Sequence, residues 1–517
     1  MKNTLFLSFL FIASSLSSFA QKPLTSKQID ALVEKTLSTF NVPGIAVAIV
    51  KDGKIIHEKG YGLSSVNNKQ KVNEHTRFGI ASNSKAFTAT ALAILVDEGK
   101  VNWDDRVRKF IPEFTLYDSY VSDKFTVRDL LTHRSGLGLG AGDLMLWPDS
   151  SSYSTQDIIR NLRYLKPVSD FRTKYDYDNL LYIVAGEVVE KASGISWNEF
   201  VQTRILNPLQ MKESAPNFAL LTSKQNIVDP HVDFEGKVQV VRRDWREVAG
   251  AAAGIYSSVH DMSKWAIMQL NDGKYGDKQL FSVKEHNEMW APQTIIPVRG
   301  KPTYKMNFRA YGLGWFINDE NGYKVVSHTG GLFGMVTQFT LIPEMDLAII
   351  VFTNQQSGAA FTAITNSIKD GYYGIKGENR VKQYHENVVK GQQNADKITS
   401  QIFADIEAQK NNTDCSLKNI EGTYTDQWFG DAIISTKNGK LRFNAVNSPR
   451  LTGEILPYKG NTYIVKWDDR SYDADAYVKF TLDFNGETSG MTMKAISPLT
   501  DFSFDFHDLN FTKKDKK

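Results

Sequence analysis

The sequence predicts an α+β chain, in which an antiparallel sheet flanked by helices carries a helical domain and is followed by a small all-β, barrel-like domain. Three observations predict it. Residues 24–374 alternate helix-like and strand-like segments, opening on a hairpin and closing on two paired strands. Residues 376–416 turn to Lys, Glu, Gln and Asn with few aromatics, the composition of a polar helical linker. From Leu417 onward short strands recur between turn signals. The expected domains are therefore a leader over 1–20, a large domain over 21–375, the linker over 376–416 and a β-rich unit over 417–517.

Taken in order, residues 1–20 hold one charge, Lys2, then an apolar run from Leu5 to Ala13 and the small-residue ending Ser18-Phe19-Ala20. That pattern predicts a signal peptide cut after Ala20, hence export to a periplasm or the exterior without a lasting membrane anchor. Ala31–Phe40 has helical spacing and is closed by Asn41-Val42-Pro43-Gly44. Ile45–Lys51 and Lys54–Tyr61 flank Asp52-Gly53, a hairpin signal. Lys85–Glu98 is apolar on nearly every face and predicts a buried helix ended by Gly99. Phe339–Ile342 and Asp346–Thr353 read as paired strands. In the last hundred residues Phe502, Phe504 and Phe506 alternate with polar residues at strand period, and Asn438-Gly439, Lys459-Gly460 and Asn485-Gly486 mark turns.

Composition narrows the function without naming it. With 61 Lys plus Arg against 58 Asp plus Glu, the chain offers no electrostatic footprint for nucleic acid. A hydrophobic fraction of 41% supports sizeable cores. The single cysteine, Cys415, excludes an intrachain disulfide and any CxxC centre. The nine histidines show no HExxH or paired metal spacing. Neither a metal nor a cofactor is expected.

Three short motifs carry chemistry. Ser82 and Lys85 lie three residues apart at the start of the predicted buried helix, so both side chains share one face. A buried amine sheds its proton more easily and can activate the hydroxyl; read alone, the pair is equally a capping serine with a snorkelling lysine. Tyr177-Asp178-Asn179 precedes the apolar helix Leu180–Lys191. Its phenol can exchange protons beside a lysine and its amide can bind a carbonyl, or the triplet can be a helix cap with a packing tyrosine. His328-Thr329-Gly330-Gly331 comes just before the closing strands, where glycines let a substrate backbone approach and offer an N–H to an oxyanion. Otherwise it is a strand-end turn with an exposed histidine.

Together and in this order the motifs resemble the serine β-lactamase and penicillin-binding-protein superfamily, in its class C β-lactamase, D-peptidase and esterase branch. Phe125–Leu137 and Ala253–Met262 look like the same branch, and Gly422-Thr423-Tyr424 looks like a β-barrel domain appended to such hydrolases. The resemblance covers about residues 25–374. It implies that Ser82 attacks a carbonyl to form an acyl-enzyme, that Lys85 and Tyr177 share the proton transfers, and that Asn179 positions the acyl amide. It implies that His328 and Thr329 contact the leaving side or a substrate carboxylate, with Gly330 completing the triplet. The backbone N–H groups of Ser82 and Gly331 would form the oxyanion hole. The implied substrate is a small-molecule or peptide amide or ester, cleaved without a cofactor. Transfer of the acyl group to a hydroxyl or amine, or a catalytically silent sensor, are the alternatives, and the oligomeric state stays open.

Two departures shape the expected substrate. His328 replaces the lysine of typical β-lactamases, and a neutral imidazole attracts a β-lactam carboxylate less than an ammonium does. Asp178 stands where many relatives have serine, setting a negative charge beside the site. Gly136–Gly142 lacks GxGxxG spacing and reads as a flexible loop over the cleft. His133 and the pair Trp428-Phe429 read as packing residues.

Overall fold

The computed structural model describes residues 22–234, 236–243, 246–408, 417 and 419–514. The expected signal peptide and Cys415 lie outside the described residues. The main sheet has eight antiparallel strands: β1 (Gly44–Lys51), β2 (Lys54–Gly62), β3 (Thr294–Ile296), β4 (Arg309–Tyr311), β5 (Phe316–Glu320), β6 (Tyr323–Leu332), β7 (Met335–Ile342) and β8 (Leu347–Thr353). Their spatial order is β2-β1-β8-β7-β6-β5-β4-β3, so the opening hairpin forms one edge and pairs through β1 with the last strand, β8. Asp52 and Gly53 form the hairpin turn at φ of 52° and 68°, the left-handed pair that a two-residue loop needs.

The longer helices are α1 (Ser26–Phe40), α2 (Ser84–Asp97), α3 (Leu180–Ser193), α4 (Val259–Leu270), α5 (Gly358–Tyr373) and α6 (Arg380–Ala408). Helices cover both faces of β1. Ile45, Val47 and Ile49 pack with α1 and α5, while Ala46, Ala48 and Val50 join the core that holds α2 and α4. This double burial is why β1 reads as an unbroken apolar run rather than an alternating one. Helix α2 is buried from Ser84 to Leu95, with Phe87 stacked on Trp265 at 3.8 Å between ring centroids.

Helix α6 fills most of the polar stretch and is largely exposed, but an apolar stripe through Val381, Ala395, Ile402 and Ile406 is buried. Ile402 and Ile406 pack on Ile464 and Ile496 of the C-terminal unit. That unit is a closed barrel of eight strands: β9 (Gly422–Asp426), β10 (Gly430–Lys437), β11 (Lys440–Ala445), β12 (Thr452–Lys459), β13 (Thr462–Trp467), β14 (Ala476–Leu482), β15 (Thr488–Ala495) and β16 (Asn510–Lys513). Each strand pairs with the next and β16 returns to β9 at Tyr424↔Lys513. Trp428 and Phe429 are buried, their carbonyls taking hydrogen bonds from Asn161 and Tyr153 of the large domain.

One expected strand is absent. The alternating phenylalanines of 502–506 belong to the loop joining β15 and β16. Tertiary bonding overrides the local period: Phe506 stacks on Trp467 in the barrel, while Asp505 turns to the large domain and accepts the N–H groups of Gly142 and Leu144 at 2.6 and 3.1 Å.

Candidate active site

Ser82 sits in one 3₁₀ turn, Ala81–Asn83, that runs directly into α2. Ala81 is held at φ 50°, a left-handed conformation costing a residue with a Cβ about 1 kcal/mol. The turn is locked from the sheet: Asn83 donates to Thr337 Oγ1 at 2.9 Å, and Thr337 donates to the Ile80 carbonyl at 3.0 Å. Half-buried Ser82 therefore stands at the floor of a cleft of about 1300 Å³.

Lys85, one turn on, is fully buried. Its Nζ donates to Ser82 Oγ at 3.3 Å, Asn179 Oδ1 at 2.7 Å and the Ala252 carbonyl at 3.1 Å. It also lies 4.7 Å from the Tyr177 ring centroid and 5.1 Å from that of Tyr182. Burial lowers its pKa from 10.5 to about 7, against the opposing pull of Asp143 and Asp178. Tyr177 moves the other way: burial pushes its phenol well above 10, and a hydrogen-bonding pull from Ser82 offsets only part. The phenol faces Ser82 without closing a well-formed hydrogen bond to it.

Asp178, not Asn179, serves the start of α3, its Oδ1 accepting the N–H of Leu180 at 2.9 Å. The Asn179 amide is thereby left for the site, where Nδ2 donates to Asp143 Oδ2 at 2.8 Å. Burial raises the Asp178 carboxyl to about 7. Its backbone N–H donates to His133 Nδ1 at 3.0 Å, which fixes the proton of the neutral imidazole on Nε2. The His133 ring lies 4.2 Å from that of Tyr177, so this buried packing histidine also holds the tyrosine in place.

The third motif lies on strand β6, on its open edge, and His328 is buried, so the alternative of a turn with an exposed histidine does not hold. Side chains alternate as a strand requires: His328 and Gly330 point inward, Thr329 and Gly331 toward the cleft. The two glycines differ in purpose. A Cβ on Gly330 would meet the Ile80 carbonyl at 2.1 Å, so this glycine admits the turn that carries Ser82, not a substrate. A Cβ on Gly331 would meet nothing within 4 Å. Strand β5 pairs only as far as Ser327, leaving the Thr329–Leu332 edge open to the cleft among the described residues.

His328 Nδ1 contacts the Thr329 carbonyl at 2.6 Å; a carbonyl only accepts, so Nδ1 carries the proton and Nε2 accepts from the Tyr311 hydroxyl at 2.8 Å. Burial, helped by Lys85, depresses its pKa to about 3, so the ring is neutral at pH 7. The cleft's cation is instead Arg309 on β4, stacked 5.0 Å from the Phe316 ring and paired with no carboxylate among the described residues.

Asp143, Arg309, Tyr311 and the 501–508 loop went unrecognised in the sequence. The Gly136–Gly142 segment is no flexible loop: it is packed, only Leu139 being exposed, and Gly140 donates its N–H to the Tyr177 carbonyl at 2.8 Å. Among the described residues no group of three or more His, Cys, Asp or Glu is placed to hold a metal, and no helix is long and apolar enough to cross a membrane.

A serine on the turn that leads into a helix and a buried lysine in that helix's first turn, a tyrosine–asparagine turn and a glycine-bearing strand around one cleft define the β-lactamase and penicillin-binding-protein class. The profile of the family described as Beta-lactamase matches residues 29–370, and the chain belongs to that family. Residues 408–513 match a domain family of unknown function, DUF3471. The chain is 28% identical over 389 residues to "Unguisins hydrolase ungD'" of Aspergillus campestris, covering 72% of this chain and 70% of that protein. It is 28% identical over 337 residues to "Protein flp" of Staphylococcus aureus, covering 64% of each. Among solved structures, the octameric penicillin-binding protein homologue from Pyrococcus abyssi superposes with a TM-score of 0.59 at 21% identity, over 95% of this chain and all of that one.

Proposed function

We propose that this chain is an exported serine hydrolase that cleaves an amide or ester through a Ser82 acyl-enzyme. The observation that carries the reading is Lys85, fully buried, with Nζ 3.3 Å from Ser82 Oγ and a pKa near 7. An amine so poised is half unprotonated at neutral pH and within reach of the hydroxyl proton. In this reading Lys85 takes the proton as Ser82 Oγ bonds to the substrate carbonyl carbon, and the developing oxyanion turns to the N–H groups of Ser82 and Gly331. Tyr177, whose phenol stays protonated at pH 7, relays a proton to the leaving nitrogen or oxygen and is refilled from Lys85. Water then attacks the ester, which frees the acid and restores Ser82.

The hydrolase named among the relatives supports hydrolysis over transfer. Intact Ser82, Lys85 and Tyr177 around an open cleft support turnover over a silent sensor. Neutral His328 disfavours efficient β-lactam capture, while Arg309 supplies a positive charge for an anionic group on the substrate.

Intact-protein mass spectrometry tests the reading, using an activated ester, a fluorophosphonate and a penicillin. The wild type should gain one adduct from the first two, and Ser82→Ala none. An adduct that persists in Ser82→Ala, or no adduct on the wild type, refutes the nucleophile. Export rests on the N-terminal pattern and is tested by the N-terminus of the mature protein from its native host, expected at Gln21.

A further inference from the structure

The barrel does more than cover the large domain. Asp143 is fully buried, and its Oδ2 accepts two side-chain hydrogen bonds, from Asn179 Nδ2 at 2.8 Å and from Ser503 Oγ at 2.8 Å. Its Oδ1 has no partner among the described residues, so these two donors set the plane of the carboxyl. Asp505 accepts the N–H groups on either side of Asp143, those of Gly142 and Leu144. Phe502 lies edge-on to the Tyr177 ring at 5.9 Å. The loop therefore docks around Asp143 through Ser503 on its carboxyl and Asp505 on the backbone either side of it, with Phe502 on the neighbouring Tyr177.

The Asn179 amide has two unlike ends, and Lys85 and Asp143 sit at opposite ones. A lysine ammonium only donates, and Asp143 Oδ2 accepts whether or not the other oxygen is protonated. One orientation satisfies both, with the amide oxygen toward Lys85. We propose that Ser503, delivered by the barrel loop, is a positioning residue of the active site: by fixing Asp143 it holds the Asn179 amide oxygen on Lys85. The proposal rests on the Ser82 acyl-enzyme reading. Ser503 lines the cleft but makes no hydrogen bond to Ser82 among the described residues; its hydroxyl is spent on Asp143, which holds Asn179.

If Asp143 is released or removed, the amide can swap ends and present its N–H₂ to Lys85. That disfavours the charged amine and moves the acid limb of the rate profile to lower pH. Asp178, Asp505, His133, His328, Tyr177 and Tyr182 also face this network, and none is altered by the variants. The experiment uses the full chain as wild type, Ser503→Ala, Ser503→Thr and Asp143→Leu. Active sites are titrated with a fluorophosphonate, and kcat and KM for a p-nitrophenyl ester are measured from pH 5 to 9. Ser503→Ala should lower kcat per titrated site by roughly tenfold, in the range that small misplacements cost, with KM within twofold. Its acid limb should move down by about half a pH unit, Asp143→Leu should move it further, and Ser503→Thr should restore both values.

Wild-type kcat per site with an unmoved limb in Ser503→Ala overturns the proposal. So does a loss that follows only the number of titratable sites, which would mark Ser503 as interface packing. A wild type that gains no adduct at Ser82 overturns the acyl-enzyme reading, and the proposal with it; the adduct measurement separates that failure from the others.

Discussion

Gly330→Ala gives the sharpest test of how the sheet holds Ser82. The added Cβ would lie 2.1 Å from the Ile80 carbonyl oxygen, 2.5 Å from Thr337 Oγ1 and 3.0 Å from the Ala81 Cβ. Ordinary C···O contacts begin at about 3.3 Å, so strand β6 and the Ile80–Ala81 segment must part by roughly 1 Å. Both atoms on the short contacts belong to the lock that fixes Ser82, because Thr337 donates to Ile80 and receives Asn83. A shift of that size costs about 10²-fold in rate when it falls on reacting groups, and overpacking of this kind costs about 1–3 kcal/mol of stability. Gly331→Ala is the matched control, since its Cβ has open space. It should keep native stability while its methyl group raises KM. The assay is kcat/KM for an activated ester per fluorophosphonate-titrated site, beside urea unfolding. Gly330→Ala with kcat/KM within threefold of wild type and unchanged unfolding would show that β6 does not set the Ser82 turn.

Lys85 links activity to stability. Its folded pKa of about 7 lies below the ordinary 10.5, so between those values the unfolded chain holds a proton that the folded chain lacks, and stability rises with pH. Lys85→Met removes that dependence, so the stability of the variant relative to wild type should be greatest below pH 7 and shrink by about 1.4 kcal/mol per unit between about pH 7.5 and 9.5. Urea midpoints at three pH values measure this, and a constant difference would contradict the depressed pKa. Tyr177→Phe should slow amide cleavage by about 10²–10³-fold while costing less than about tenfold on a p-nitrophenyl ester, whose leaving group needs no proton. Equal losses on both substrates would remove Tyr177 from leaving-group protonation. Arg309→Ala should raise KM about tenfold for an ester bearing a carboxylate and leave a neutral one of equal size within twofold, as expected for one lost charge-assisted contact. A uniform rise would make Arg309 a wall of the cleft rather than an anion contact.

What the sequence revealed depended on range. Helix α2 and the Ser82–Lys85 spacing are local, so the buried helix expected over Lys85–Glu98 was legible and matches Ser84–Asp97, while the 3₁₀ turn that carries Ser82 was not. The glycines of β6 were visible as glycines, yet their separate purposes were not, because Gly330 answers to Ile80, 250 residues earlier. The strand edge expected at His328–Gly331 is there, but that His328 itself is buried was not legible, because β5 and β7, the strands on either side of β6, lie outside the motif. The alternating phenylalanines near 504 gave the opposite error, a true local period that long-range hydrogen bonds override. No local pattern ties Asp143 to Ser503, which stand 360 residues apart and meet only when the barrel docks.

That separation has a consequence for the newly made chain. Synthesis runs from the N-terminus at about 5–20 residues per second, so roughly 7–27 s pass between completion of the main domain near residue 370 and the arrival of residue 505 at the end of the growing chain. During that interval Ser82 and Lys85 are already in the chain, but the Gly142 and Leu144 N–H groups lack the Asp505 carboxyl that caps them. The nascent chain carries Ser82 and Lys85 early and the loop that supports Asp143 late, so the surroundings of Asp143 are completed only when the barrel docks.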